Sequence, residues 1–295
     1  MADLWGRSWS LVIGSRDLSE CDFKFKTERH VHRSPNTAEI QIFNVSPDTR
    51  AAVEGSARPF HRPGTPRVEI PDGVVRLAAG HGDDPPQQFR GDVRIAWTEW
   101  PSSVDSILCV TARDGGHAYS EARFSRAYPS GTPLASVVRD VVASMDIGQG
   151  NLSEFSGAFS TRTGRDTLAD GYAAHGRSHT VLSALCRAAG LRWSVQSGAL
   201  QLQRQGAPLE TRSVLLDASS GLVGSPTWDD RGRRTSGRRG RATVQCLIQP
   251  GLDPGRRVHV DSDTVTGDFE IRKILLTGDT RANEWFAELE LRPLG

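Results

Sequence analysis

The sequence predicts a mainly β chain interrupted by an α+β insert, and three observations carry that prediction. Segments alternating apolar and polar residues fill both ends of the chain, and a period of two is that of a strand with one buried face. Two segments with helical periodicity and a short hairpin pattern occupy the middle. Glycine and proline, 30 and 16 of 295 residues, punctuate the chain while long apolar runs are missing, as expected of many short strands joined by turns. The length suggests about two domains' worth of core.

The first strand region contains "CDFKFKTE", with Phe23, Phe25 and Thr27 on one face, and "TAEIQIFNV", with Ala38, Ile40 and Ile42. In "GDVRIAWTEW" the same alternation groups Val93, Ile95 and Trp97, and Trp97 reads as core. Between these strands "SPDTRAAVEG" supplies Ser46 as N-cap, Pro47 at the first helical position and Gly55 past the end, which predicts a short helix. Strands with one helix make a small barrel or sandwich.

Gly115 and Gly116 in "ARDGGHAY" mark a boundary. Beyond it "TPLASVVRDVVASMDIG" places Leu134, Val137, Val138, Val141 and Met145 on one helical stripe, and "TVLSALCRAAG" places Leu182, Leu185 and Ala189 on another that ends at Gly190. In "LRWSVQSGALQLQ" Leu191, Trp193 and Val195 face Leu200 and Leu202 across a glycine turn. The stretch between the helices, residues 148–176, is polar and irregular and reads as a surface excursion. From Ser213 strands return in "SVLLD", "ATVQCLIQ", "RRVHVDS", "GDFEIRKILLTGD" and "EWFAELELR". Asp253-Pro254-Gly255 predicts a tight turn, because proline presets one dihedral and glycine supplies the positive one.

The candidate chemistry is sparse. Cys21, Cys109, Cys186 and Cys246 are too dispersed for a zinc or redox motif and read as free thiols, mostly buried. His175 and His179 have the spacing of helical metal ligands without a third ligand, and His30 and His32 would share a strand face under the same discount. Asp261, Asp263 and Asp268 could be imagined as an acid pair for sugar hydrolysis, but acids in a polar link between strands usually serve solubility and turns. Trp97 and Trp100 could stack on a sugar. There is no Gly-x-Ser-x-Gly elbow, and Lys24, Lys26 and Lys273, the only lysines, lie outside any phosphate-loop context. No cofactor or metal is expected.

One stretch stands out. "DDRGRRTSGRRGR", Asp229 to Arg241, holds Arg231, Arg233, Arg234, Arg238, Arg239 and Arg241 in a chain whose formal net charge is only +1. It reads as a long loop between strands, either solvated, or contacting protein, or gripping nucleic acid by its phosphates. The start, "MADLWGRSWS", lacks the pattern of a secretion signal, and no apolar stretch is long enough to span a bilayer, so a cytoplasmic origin without membrane insertion is expected.

"HRSPNTAEIQIFNVSPDTR", "SSGLVGSP", "CLIQPGLDPGRRVHVDS", "FEIRKILLTGDT" and "NEWFAELELRP" follow one another in an order that resembles baseplate hub proteins of tailed bacteriophages. The resemblance implies two small tube-like β-barrel or sandwich domains, residues 1–114 and 211–295, around an inserted helix-plus-hairpin region, 115–210. It implies a non-enzymatic virion protein of the tail baseplate, assembled in the host cytoplasm. Its partners would be two further copies in a homotrimer, the tail tube protein, the spike protein and other tail proteins, with DNA crossing the lumen without specific binding. In that setting the arginine-rich loop is expected at a subunit or tube contact, facing an acidic surface such as Asp83 and Asp84 in "GHGDDPPQQ". The rival readings are a tail-associated cell-wall-degrading enzyme and a basic nucleic-acid-binding protein.

Overall fold

The computed structural model describes residues 6–57, 73–159, 166–209, 212–229 and 240–294. In chain order the elements are β1 (Arg7–Ile13), β2 (Arg16–Asp17), β3 (Phe23–His30), β4 (Thr37–Phe43), α1 (Pro47–Gly55), β5 (Val74–His81), β6 (Gln87–Glu99) and β7 (Ile107–Arg113). Then come α2 (Gly116–Ser120), β8 (Arg123–Tyr128), α3 (Leu134–Ala143), β9 (Tyr172–Arg177), α4 (Ser178–Ala188), β10 (Leu191–Gln196) and β11 (Ala199–Arg204). The chain closes with β12 (Val214–Leu216), β13 (Leu222–Asp229), β14 (Arg241–Cys246), β15 (Arg257–Asp261), β16 (Thr266–Asp279) and β17 (Trp285–Pro293). The chain is mainly β with an α+β insert, as its periodicities predict.

Two compact units result. Unit one takes Met1–His30, Asn36–Arg113 and Glu210–Gly295; unit two takes Val31–Pro35 and Asp114–Leu209. Both terminal strand regions therefore lie in unit one, and the insert in unit two.

Unit one is a single sheet in the order β13-β14-β17-β16-β3-β4-β7-β6-β5-β1-β2, with β15 also on β16 and β12 parallel to β15. The terminal regions meet at β16. Its first residues, Thr266–Glu270, pair with β15, and its last, Lys273–Asp279, pair with β3, with a register shift between Ile271 and Lys273. That shift leaves Arg272 as the extra residue of a bulge, which bends a strand and increases its twist. The carboxylate of Glu270 is wholly buried at this bend, 2.6 Å from Arg292 Nη2 and 3.4 Å from Arg272 Nη1, so its charge is compensated on both sides.

The sheet curls in two places. β17 and β1 are seven neighbours apart along the sheet, roughly 34 Å if it were flat, yet the rings of Trp285 and Trp9 are 5.6 Å apart. Trp285 also meets Phe25 edge-on at 5.4 Å and donates to the Gly80 carbonyl at 3.2 Å. Gly278 permits this closure: a Cβ there would lie 2.3 Å from Phe25 and 2.9 Å from Trp285. In the C-terminal region β13 turns back so that Trp228 lies 5.8 Å from Phe269 of β16, and Thr264 Oγ1 donates to the Pro226 carbonyl at 2.7 Å. One apolar core runs through both parts, from Leu11, Ile40 and Leu77 to Val258, Phe269 and Leu289.

α1 begins as predicted: the Ser46 side chain accepts from Thr49 N at 3.2 Å and Pro47 opens the helix. The pattern in β6 departs from the expectation. A register shift between Val93 and Ile95 inverts the alternation, so Val93 is buried while Ile95 and Trp97 are 55% and 41% exposed. Trp97 is therefore a surface residue, because one inserted residue sends every later side chain to the opposite face.

Unit two has a separate core of Val137, Val138, Val141 and Met145 on or just beyond α3, Leu182 and Cys186 of α4, and Trp193, Val195 and Leu200 of the hairpin. β10 and β11 are joined by a two-residue turn at Ser197 and Gly198, both with positive φ. The stretch predicted as a surface excursion is more ordered than its polarity suggests. It carries a 3-10 helix at Leu152–Ala158, buries Leu152 and Phe159, and ends in β9, which pairs with β8. Residues 160–165 of it lie outside the described residues.

Candidate subunit-contact surface

The arginine-rich stretch is the connection between β13 and β14. Its first and last residues, Asp229 and Arg241, are register partners, and β13 is a terminal strand of the sheet. Arg231, Arg233, Arg234, Arg238 and Arg239 lie outside the described residues. Arg241 is described and forms an ion pair with Glu290 of β17. At an exposed position such a pair adds little stability, so it chiefly removes Arg241 from the charge the stretch can offer a partner.

The acidic residues expected to face it, Asp83 and Asp84, are exposed in the connection between β5 and β6. That connection is held at its base, where Ala79 N donates to the Pro86 carbonyl at 3.1 Å and Gly82 N to Gly6 at 2.8 Å. Neither aspartate forms an ion pair among the described residues, so both charges face outward.

At Asp253-Pro254-Gly255 the Arg256 amide donates to the Asp253 carbonyl at 3.1 Å, and Gly255 has φ +91°, the geometry of a turn with proline first and glycine second. The turn is docked on β16, with Gly255 N donating to Ile271 O at 2.7 Å. Its aspartate has a further role that local pattern does not reveal. Asp253 Oδ1 accepts from the buried Arg29 guanidinium of β3 at 3.0 Å, and Oδ2 lies 3.2 Å from Arg256 Nε.

The catalytic candidates come together only in part. His175 is on β9, 3.1 Å from Ser125 Oγ, while His179 is on α4, so their spacing is not that of one helix. His30 ends β3, and His32 lies beyond it. Among the described residues no three His, Cys, Asp or Glu side chains are grouped to hold a metal. Asp261 and Asp263 line an open cleft of about 530 Å³ with Asp217, Leu222, Pro226 and Thr264. Asp268 is elsewhere engaged, by Arg257 and by His259 Nδ1 at 2.9 Å, and the hydrogen bond from Arg257, then that from His259, holds its carboxyl below the ordinary range. Asp217 is likewise lowered, first by Ser219, whose hydroxyl and amide both donate to it at 2.8 Å. A glycosidase acid needs a carboxyl whose pKa is raised. Trp100 is 59% exposed but is covered on one face by the Arg50 guanidinium at 4.8 Å. The four thiols are free; burial pushes Cys246 up to about 12, and Cys186 as far, so both are inert core residues.

No protein-family model matches the sequence, and a search of curated proteins finds no match. Solved structures do match. A tail protein from Neisseria meningitidis superposes with a TM-score of 0.64 at 11% identity, covering 98% of this chain and 97% of that one. The 43 kDa tail protein of prophage MuSo2 from Shewanella oneidensis gives 0.63 at 10% identity, with the same coverage of both chains. An Escherichia coli type VI secretion component, described as structurally similar to the bacteriophage T4 tail proteins gp27 and gp5, gives 0.59 at 12% identity over 97% of this chain and 77% of its own. The chain thus has the fold of phage tail proteins, carried over essentially its whole length.

Proposed function

We propose that this protein is a structural baseplate hub of a phage tail. Three copies close a ring in which each contributes two quasi-equivalent barrel modules, so that six modules meet the sixfold tail tube while the threefold axis meets the spike. DNA crosses the central opening without sequence-specific binding, and no catalysis is involved. The observation that carries this reading is end-to-end superposition on two different tail proteins. The two curls of one sheet, hinged at β16, are consistent with two modules per chain.

The exposed apolar residues of unit one, Ile95, Trp97, Trp100, Val104, Leu215, Val223 and Trp228, also suit a protein that meets other proteins, since interface cores are rich in such side chains. The arginine-rich connection and the outward-facing Asp83 and Asp84 belong to the same reading as complementary charges at a subunit or tube contact. Against the enzyme reading, the Asp217 and Asp268 carboxyls are held low by their hydrogen bonds, the opposite of what a glycosidase acid needs, and no metal-ligand set is grouped among the described residues.

The deciding measurement is the mass of the purified protein in solution, alone and mixed with its tail tube protein, with negative-stain images of the product. A trimeric ring with a central opening is expected. A monomer under both conditions overturns the proposal.

A further inference from the structure

The large apolar side chains exposed among the described residues are not scattered over unit one. Ile95 and Trp97 are on β6, Trp100 and Val104 in the connection that follows it, Val223 and Trp228 on β13, and Leu215 on β12, the short strand that precedes β13. β13 and β6 are the first and last strands of the row β13-β14-β17-β16-β3-β4-β7-β6, and the six strands between them carry no large apolar side chain so exposed. Two patches therefore sit at opposite ends of one row. Trp97 and Trp100, 41% and 59% exposed, together leave about one tryptophan side chain, roughly 200 Å², in water. With Ile95 and Val104 the β6 patch reaches the size at which an exposed apolar surface marks an interaction site.

Strand direction decides what such patches can meet. Each of the seven steps along the row is antiparallel, so β6 runs opposite to β13. A second copy turned about an axis along the strands brings its own β13 beside β6 in the same alternation, with the buried face of the row kept on one side. The side chains then match by face. Val223 is opposite Gln245, and Ile95 and Trp97 are opposite Thr111 and Cys109, all on the face turned away from the core. Trp228, opposite the buried Ala242, is on the core face, as is Ala96 of β6.

Charge favours the same partner. This arrangement lays the Asp229 end of β13 towards the start of β6. The arginine-rich connection continues from that end of β13, and Asp83 and Asp84 lie just before β6 on the other copy. Neither β13 against a second β13 nor β6 against a second β6 brings these opposite charges together, since each such pair holds one kind of connection only.

We infer that the surface around β6 formed by Ile95, Trp97, Trp100 and Val104 is the docking site for β13 of a second copy of this chain, through Val223 and Trp228, so that two unlike patches join head to tail. The inference rests on the hub reading, because a ring of three copies needs two unlike surfaces on each.

The test uses the full chain in two double variants, Ile95→Ser with Trp97→Ser on the β6 side and Val223→Asp with Trp228→Ser on the β13 side. Sedimentation is measured under the conditions in which the wild type assembles. Each variant alone should need roughly 30-fold more protein for half assembly, the loss expected when central aromatic anchors are removed. Mixed at a concentration where each is monomeric, they should form a dimer and nothing larger, because the mixture holds one intact pair of patches and both outer ends are damaged. Recovery of that dimer also shows that both variants are folded. Val223→Asp alone stands in on the β13 side should loss of the Trp228 contact with Phe269 lower the unfolding midpoint. A wild-type ring that either variant leaves intact overturns this inference and spares the hub proposal, and so does a mixture of folded variants that stays monomeric. A wild type that is monomeric alone and with the tail tube protein overturns both.

Discussion

The guanidinium of Arg29, 3% exposed, donates to Asp253 Oδ1 at 3.0 Å and so joins β3 in the N-terminal strand region to the turn before β15 in the C-terminal one. Arg29 also donates to Gln88 Oε1 at 3.1 Å and to the Leu252 carbonyl at 2.9 Å. A buried guanidinium depends on its acceptors, and replacing Asp253 removes a charged one from Arg29. Asp253→Ala should therefore destabilise the protein by about 2–3 kcal/mol, less than for a fully buried pair because Asp253 is partly exposed. Urea unfolding measures it, and a loss of a few tenths of a kcal/mol shows the pair to be ornamental.

Asp279, 2% exposed, gives a pH signature. Burial opposes its charge, but hydrogen bonds from Lys24, at 2.9 Å, and from the Arg281 amide, at 2.9 Å, outweigh that and hold its carboxyl below the ordinary 3.8. A folded-state pKa below the unfolded one contributes stability above pH 4 or so, which is lost as pH falls through the folded value. Lys24→Met should lower the unfolding midpoint at pH 7, and its deficit against the wild type should shrink towards about pH 2.5. An equal deficit at both ends of that range contradicts the assignment.

The bulge in β6 makes a sharp statement about Trp97. Were it core, Trp97→Ser would cost about 3–5 kcal/mol; at its exposed position the cost should stay near or below 1 kcal/mol. Thermal unfolding decides between these, and a core-sized loss means that the strand alternates without the shift.

If the arginine-rich connection contacts a subunit or the tube, reversing its charge should disturb assembly. Arg238→Glu together with Arg239→Glu is expected to reduce the ring population in sedimentation and the yield of complete tails. Normal assembly with altered DNA delivery would assign the stretch to nucleic acid instead.

Much of the architecture was legible from local pattern, because strands and helices announce themselves by which neighbours share a face. Phe23 and Phe25, the stripe from Val137 to Met145, and the Ser46 cap are set by interactions within a few residues. The same logic failed at β6 and at residues 148–176. A bulge is decided by how a strand fits its partner, and Leu152 and Phe159 find burial only against elements distant in sequence.

The sequence by itself determined the β-rich class, the place of the insert and the turn at Pro254-Gly255, since each depends on backbone preference or on periodicity over a short span. Only the tertiary structure decided that β16 joins the two strand regions and that Asp253 holds Arg29 from 224 residues away. Those relations come from sheet order and register, which arise when distant segments pair and which no single segment encodes.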